Sequence, residues 1–321
     1  MTIIPTRNQS RNQSRNQFSA SRRSVLAFGC AATAYGALPA YAGAPVAMPT
    51  RPIPKGGEAL PVIGLGSSKA VSQLGADGPA ALTNVLRTLV AHGGKVVDTW
   101  PRNPENDAKF GRILGESDLR ARLFVTSKID RTGKEAGLAQ FRDAQKAYNR
   151  KAVDLLQIFS LTDLAVHWPT LRAIKDAGEA RYIGATVSED KLHDQLEAFL
   201  RTETPDVVQM NYSITERRVE AKLLPFARER GVAVLVNRPF MNGALFKKLE
   251  GRPLPGWAAE FDCKTWAEFS LKYILAHPAV TCVLTETADP HHMEENALAA
   301  SGRLPDAAQR ARMAAYIDEV L

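Results

Sequence analysis

Two ionisable side chains close short apolar runs: Asp98 ends "KVVD" and Lys128 ends "LFVTSK". Brought out of water side by side, an aspartate and a lysine each lower the cost of the other's charge, and the aspartate shifts the lysine's proton affinity. Such a pair can tune a proton transfer, or it can brace the place where two strands end. Similar runs close on Phe159 and Ser160, on Thr186 and Val187, on Gln209, Asn211 and Tyr212, on Asn237 to Pro239, and on Glu286 and Thr287.

The elements that must carry these residues alternate regularly. β-Branched runs recur as "PVIGLG" (Pro61 to Gly66), "KVVDT" (Lys95 to Thr99), "LFVTSK" (Leu123 to Lys128), "VDLLQIF" (Val153 to Phe159), "RYIGATV" (Arg181 to Val187), "VVQMNY" (Val207 to Tyr212), "VAVLVN" (Val232 to Asn237) and "VTCVLT" (Val280 to Thr285). Between them lie segments such as "ALTNVLRTLVAHG", "PTLRAIKDAGEA" and "EAKLLPFARERG", where apolar residues recur at three and four and a glycine often closes the helix. Eight such alternations predict an α/β fold, a (β/α)8 TIM barrel in a single domain. An open doubly wound sheet is the alternative, but no glycine-rich dinucleotide fingerprint follows the first strand. Residues 44–60 read as a short hairpin or arm closing the barrel floor. In such a barrel the carboxyl ends of the strands converge on one mouth, which would collect the residues above.

Composition locates the charge. The 321 residues are 45% hydrophobic and 23% charged, an ordinary globular profile with room for a large core. The formal charge of +7 belongs to the start of the chain, because Met1 to Ala42 holds Arg7, Arg11, Arg15, Arg22 and Arg23 and no acid. The rest is nearly balanced, which gives no electrostatic reason to expect nucleic acid or an anionic membrane surface as partner.

That basic segment reads as an address. Polar "RNQSRNQSRNQ" precedes "SRRSVLAF", an apolar run extends from Val25 to Leu38, and "AYA" stands at Ala40 to Ala42. The run is too short, and too broken by Gly29, Gly36 and Pro39, to give a stable membrane span. It resembles a twin-arginine export signal. Residues 1–42 are therefore expected to be a signal peptide read by the twin-arginine export machinery, and residues 43–321 a barrel that is periplasmic or secreted from a bacterium. Beyond the leader only Cys263 and Cys282 remain, at no metal-like spacing, and both are expected to be buried thiols. No metal site is expected.

The segments "LPVIGLGSS", "VVDTW" with "AKFGRIL", "FVTSK", "VDLLQI", "GEARYIGAT", "VVQMNYS", "VLVNRPFMNGAL" and "HPAVTCVLTETADPHHMEENALAA" together resemble an aldo-keto reductase. The resemblance runs in order from about Ala44 to the C-terminus. It implies NADP(H) lying extended across the barrel mouth, with a small-molecule carbonyl substrate above the nicotinamide. In that family a tyrosine donates a proton to the carbonyl oxygen, tuned by a lysine and an aspartate, while a histidine orients the substrate.

Residue by residue, Asp98 matches the aspartate and Lys128 the lysine. The tyrosine's place, five residues after the aspartate, is held by Asn103, with Pro104 where glycine is usual, and the histidine's place is held by Phe159. Asn103 has no ionisable proton and Phe159 offers no hydrogen bond, whereas general-acid catalysis is typically worth about a hundred- to ten-thousand-fold in rate. No tyrosine stands between Asp98 and Tyr148. Lys128 itself, or His167 entering from a loop, is a candidate replacement donor, although a lone loop histidine is more often a plain surface residue.

On the cofactor side the resemblance assigns Gln209 to the carboxamide and Glu295 with Asn296 to the adenine, with Thr186, Asn237, Thr287 and His292 on the same track. Glu286, Asp289 and Glu294 disfavour a 2′-phosphate, while a glutamate can accept from an unphosphorylated ribose hydroxyl. NADP(H) is the first expectation and NAD(H) the second. Two functional readings follow. One is an oxidoreductase with an altered proton-donor site, and the other is a catalytically inactive barrel that binds a ligand or partner protein. A monomer is the family default. In the stretch Lys247 to Trp266, the aromatic residues Trp257, Phe261 and Trp266 either line the mouth or, as is commoner in a long loop, pack that loop onto the barrel.

Overall fold

The computed structural model describes residues 48–67, 78–100 and 103–321. The leader expected at residues 1–42 lies outside them. The described chain enters on an antiparallel hairpin, β1 (Thr50–Pro52) and β2 (Ala59–Pro61), with Thr50 opposite Pro61. Eight parallel strands then close on themselves: β3 (Ile63–Leu65), β4 (Val96–Val97), β5 (Phe124–Ile129), β6 (Val153–Phe159), β7 (Ala180–Thr186), β8 (Val207–Asn211), β9 (Ala233–Asn237) and β10 (Cys282–Thr285). Strand β10 pairs with both β9 and β3, so the expected (β/α)8 barrel is borne out.

Around it pack α1 (Gly78–Ala91), α2 (Pro104–Leu114), α3 (Lys134–Ala147), α4 (Leu164–Asp176), α5 (His193–Thr202), α6 (Leu223–Glu229), α7 (Ala244–Lys248), α8 (Trp266–Leu275), α9 (Pro290–Leu298) and α10 (Ala307–Val320). Gly178 and Gly231, after α4 and α6, adopt φ of +73° and +64°, the left-handed turn that ends a helix with least strain when no Cβ is present.

The strand pleat sorts the side chains into two cores. Val97, Val125, Leu156, Ile183 and Val208 join the core shared with the helices. Val96, Phe124, Leu155, Tyr182, Val207, Leu235 and Leu284 form a second cluster inside the barrel, completed by Ile53 and Leu60 from the hairpin. The hairpin therefore plugs the floor, as its position in the sequence suggested. One pleat above, the inward positions turn polar and remain buried: Asp98, Thr126, Lys128, Gln157, Thr186 and Gln209. A polar layer on an apolar floor is costly unless its members satisfy one another, so this is where function is sought.

Two close approaches position that layer. A Cβ on Gly184 would lie 1.9 Å from the Val207 carbonyl oxygen, so a glycine is needed for β7 to approach β8. A Cβ on Gly111 would lie 1.7 Å from the Ala147 carbonyl oxygen, so the glycine of "AKFGRIL" seats α2 against the end of α3. The C-terminal helix is fastened by Arg310, which donates to Glu220 Oε1 at 2.8 Å and to the Tyr273 carbonyl at 3.0 Å. Tyr212 and Tyr273 donate to the same carboxylate oxygen at 2.5 and 2.6 Å.

Cys263 and Cys282 are buried free thiols, as expected, and burial pushes Cys263 up to about 11. Trp257 and Trp266 pack on Phe269 and Tyr316 while Phe261 is buried, so these aromatics do pin their loop to the barrel. Among the described residues no helix is long and apolar enough to cross a membrane.

Candidate active site

Asp98 lies just past β4, where its amide donates to the Leu65 carbonyl at 2.8 Å and prolongs the ladder with β3. Alternation from Val96 turns its carboxylate into the barrel. There Oδ1 accepts from Lys128 Nζ and from Thr126 Oγ1, each at 2.5 Å. Oδ2 accepts from Ser67 Oγ and from Gln209 Nε2, each at 3.3 Å. Lys128 donates in addition to the Thr99 carbonyl at 3.0 Å. With Asp98 3% and Lys128 2% exposed, both charges are withdrawn from water and compensated locally. The two residues singled out by their strand ends are thus brought together.

Asn103 is placed differently. It is exposed, with extended backbone angles, and its carboxamide oxygen accepts from the Asn106 amide at 2.8 Å. Followed by Pro104 at the first helical position, it is the N-cap of α2. Asn103 therefore has a structural occupation of its own, as a helix cap.

Phe159 ends β6 and stacks on Trp100, with ring centroids 4.6 Å apart and planes at 16°. Trp100 Nε1 donates to Asp130 Oδ2 at 2.8 Å, and Gln140 Nε2 donates to Asp130 Oδ1 at 2.7 Å. Since β4 and β6 flank β5, the stack spans the strand that carries Lys128. The expectation of His167 as a loop residue entering the mouth is corrected: it sits on α4, fully buried, with Nε2 donating to the Arg131 carbonyl at 2.6 Å. There it packs the outside of the barrel, beside Gly137 of α3.

Other candidate residues lie on three adjacent strands. Thr186 and Asn237 are buried at the ends of β7 and β9 and Gln209 within β8 between them, and Asn237 Nδ2 donates to the Val187 carbonyl at 2.9 Å. Gln209 Oε1 is buried and has no hydrogen-bond partner among the described residues. Beyond Asn237, the lip between β9 and α7 and the start of α9 enclose two adjoining clefts of about 480 and 490 Å³. Both share Phe240, Phe246, Glu286, Thr287 and His292, and the second adds Glu295 and Asn296. The sequence-chosen residues of the C-terminal segment therefore meet in one place. Among the described residues no cluster of histidine, cysteine or carboxylate side chains suits a metal ion.

Sequence reasoning missed several participants. Arg238, Met241 and Asn242 hold φ of +53°, +54° and +56°, so backbone strain is concentrated at the cleft lip. Arg238 donates to the Ser188 carbonyl at 2.7 Å, tying that lip to the end of β7. Asn211 is held by His193 and Asp190, at 2.9 and 2.7 Å. Trp100 alone had a legible signal, because it stands two residues past Asp98 on the same side of the pleat.

The comparisons bear on the fold and the family. The sequence model of the aldo/keto reductase family matches residues 62–317. The NADH-specific methylglyoxal reductase of Escherichia coli is 26% identical over 172 residues, 46% of this chain and 52% of that protein. The chain spans about half the length of the curated relatives it matches. Among solved structures, the holo form of aldo-keto reductase AKR11C1 from Bacillus halodurans superposes with a TM-score of 0.67 at 21% identity, covering 84% of this chain and 96% of that one. An aldo-keto reductase from Klebsiella pneumoniae in complex with NADPH gives 0.67 at 19% identity, covering 81% and 92%. At such identities the superpositions speak for the fold, while the family match spans nearly the whole barrel. The chain belongs to the aldo/keto reductase family.

Proposed function

We propose that this protein is an oxidoreductase that uses a nicotinamide cofactor on a small carbonyl compound, with a proton-donating site altered at Asn103 and Phe159. One observation carries the reading. Gln209 donates to Asp98 through Nε2, while its Oε1 is buried with no hydrogen-bond partner among the described residues. A buried acceptor of that kind fits the N–H of a carboxamide, and it sits against the ion pair. Thr186 and Asn237 flank it, and the cleft of Thr287, His292, Glu295 and Asn296 suits the adenosine end.

When bound, the reduced cofactor supplies a hydride. The chain's own residues supply the rest: Asp98 holds the Lys128 ammonium charged and oriented, the barrel wall excludes water, and the ammonium's field favours negative charge developing on a carbonyl oxygen. The NADPH bound to the Klebsiella enzyme and the NADH specificity of the Escherichia coli relative support NADP(H) first and NAD(H) second.

The test is turnover of NADPH and NADH with a panel of aldehydes, ketones and dicarbonyls. Wild type should turn over at least one pair. The double variant Asp98→Asn/Lys128→Met, which removes both charges together, should bind cofactor with little change and lose turnover by about a hundredfold or more. Unchanged turnover in that variant would defeat the assignment.

The helix-capping role of Asn103 favours a second reading, an inactive barrel that binds a ligand or partner at its mouth. Cofactor affinity without turnover on any carbonyl would support it. Export by the twin-arginine route is proposed from the leader sequence. Replacing Arg22 and Arg23 by lysine should retain the protein in the cytoplasmic fraction, and unaltered export would refute the route.

A further inference from the structure

A separate cavity opens on the barrel floor, at the amino ends of β7 and β8 and away from the strand ends that carry Asp98 and Lys128. It measures about 460 Å³ and lies between the β1–β2 turn, the turn from α4 into β7 and the residue before β8. Lys55, Gly56, Lys175, Gly178, Arg181 and Asp206 line it.

Cations outnumber carboxylates around this cavity. Glu58 accepts from Lys95 at 2.8 Å and from Arg181 at 2.5 Å. Asp154 accepts from Arg181 at 2.8 Å, with Arg150 at 3.8 Å, and Asp206 accepts from Lys175 at 2.6 Å. Lys55 and Arg230 have no carboxylate of their own among the described residues. Lys55 donates to the Thr204 and Pro205 carbonyls at 2.5 and 3.4 Å, and Arg230 donates to Thr204 Oγ1 at 2.8 Å. Arg230 Nε is buried with no hydrogen-bond partner among the described residues. Six cations thus share three carboxylates, while the neighbouring Arg172 and Glu203 neutralise each other. Beyond the leader the chain is nearly charge-balanced, so this excess is local.

We infer that the floor cavity binds a phosphate group, either the free ion or the monoester of a small molecule. The inference is independent of the chemistry at the mouth. Burial, joined by the like charges of Lys175 and Arg230 and opposed by Asp206, lowers the proton affinity of Lys55, the signature of a crowded cation. A phosphate brings about two negative charges and three strong acceptor oxygens, enough to accept from more than one of these cations and relieve their repulsion. Gly178, at φ +73°, has open space where a Cβ would project, so no side chain on that wall must be displaced. An occupant would join the hairpin plug to the segment entering β8, so binding should also stabilise the fold.

The test uses the full chain, with inorganic phosphate and glycerol 1-phosphate as probes and chloride at matched ionic strength to control for screening. Calorimetric titration and thermal unfolding are followed in wild type, in Lys55→Met, in the charge-retaining Lys55→Arg, and in Lys146→Met, an exposed lysine that does not line this cavity. The expected result is saturable binding with a rise in unfolding midpoint that chloride does not reproduce. Affinity should fall about tenfold in Lys55→Met, as loss of one charge-assisted hydrogen bond implies, and be kept in Lys55→Arg and Lys146→Met. The tighter of the two probes identifies the source of the phosphate group. Absence of binding at millimolar concentrations of both probes, or equal binding in wild type and Lys55→Met, would overturn the inference. An equal loss in Lys55→Met and Lys146→Met would overturn it as well, by reducing the effect to diffuse surface attraction.

Discussion

Gln209, on β8, donates to Asp98, at the end of β4, across the barrel at 3.3 Å. The two strands lie on opposite sides of the eight-stranded ring, so this bond ties the ion pair to the buried acceptor Gln209 Oε1. It couples charge placement to the residue expected to hold the carboxamide.

The ion pair makes a distinctive stability prediction. Removing one partner leaves the other buried and uncompensated, which typically costs about 3–5 kcal/mol, whereas replacing both with neutral groups of similar size is often close to neutral. Lys128→Met alone should therefore shift the denaturation midpoint strongly, and Asp98→Asn/Lys128→Met should recover most of the loss. Additive losses in the double variant would contradict the coupling.

Asn103 should behave as a helix cap. Its carboxamide oxygen accepts the Asn106 amide at 2.8 Å, and such caps are worth about 1 kcal/mol. Asn103→Ala should lower stability by about that amount and Asn103→Asp by much less, with cofactor affinity unchanged in both. A large loss of cofactor affinity in Asn103→Ala would show that the residue belongs to the mouth after all.

His277 sets a pH dependence. Burial, reinforced by Arg310, lowers its imidazole to about 4 from 6.5, and Nδ1 accepts the Ala279 amide at 3.2 Å. The unfolded chain takes up a proton near 6.5 and the folded one only near 4, so its contribution is full above pH 6.5 and is lost as pH falls toward 4. Thermal stability measured from pH 7.5 down to about 4.5 should fall more steeply in wild type than in His277→Gln. Identical slopes would contradict the assignment.

Much of this architecture was legible in the sequence, because parallel strands covered on both faces read as unbroken apolar runs. "VDLLQIF" matches β6 residue for residue. "KVVDT" yields only Val96–Val97 as strand, since Asp98 leaves the regular ladder while keeping one bond to Leu65. His167 was misread because Pro169 looks like a helix start. A proline within the helix forfeits one backbone bond, yet α4 begins at Leu164 and buries His167. The Trp100–Phe159 stack was illegible for a different reason: it depends on two strands meeting across a third, which no local window contains.

Calorimetric titration of the purified protein with NADH and NADPH, in wild type and in Gln209→Leu, is the most direct measurement. At least one nucleotide should bind wild type in the micromolar range, raising stability by about 2.7 kcal/mol at a hundred times its dissociation constant, and should bind Gln209→Leu about tenfold more weakly. A folded wild-type protein, free of bound nucleotide, that takes up neither cofactor would contradict the oxidoreductase reading and leave the barrel mouth as a binding site for something else.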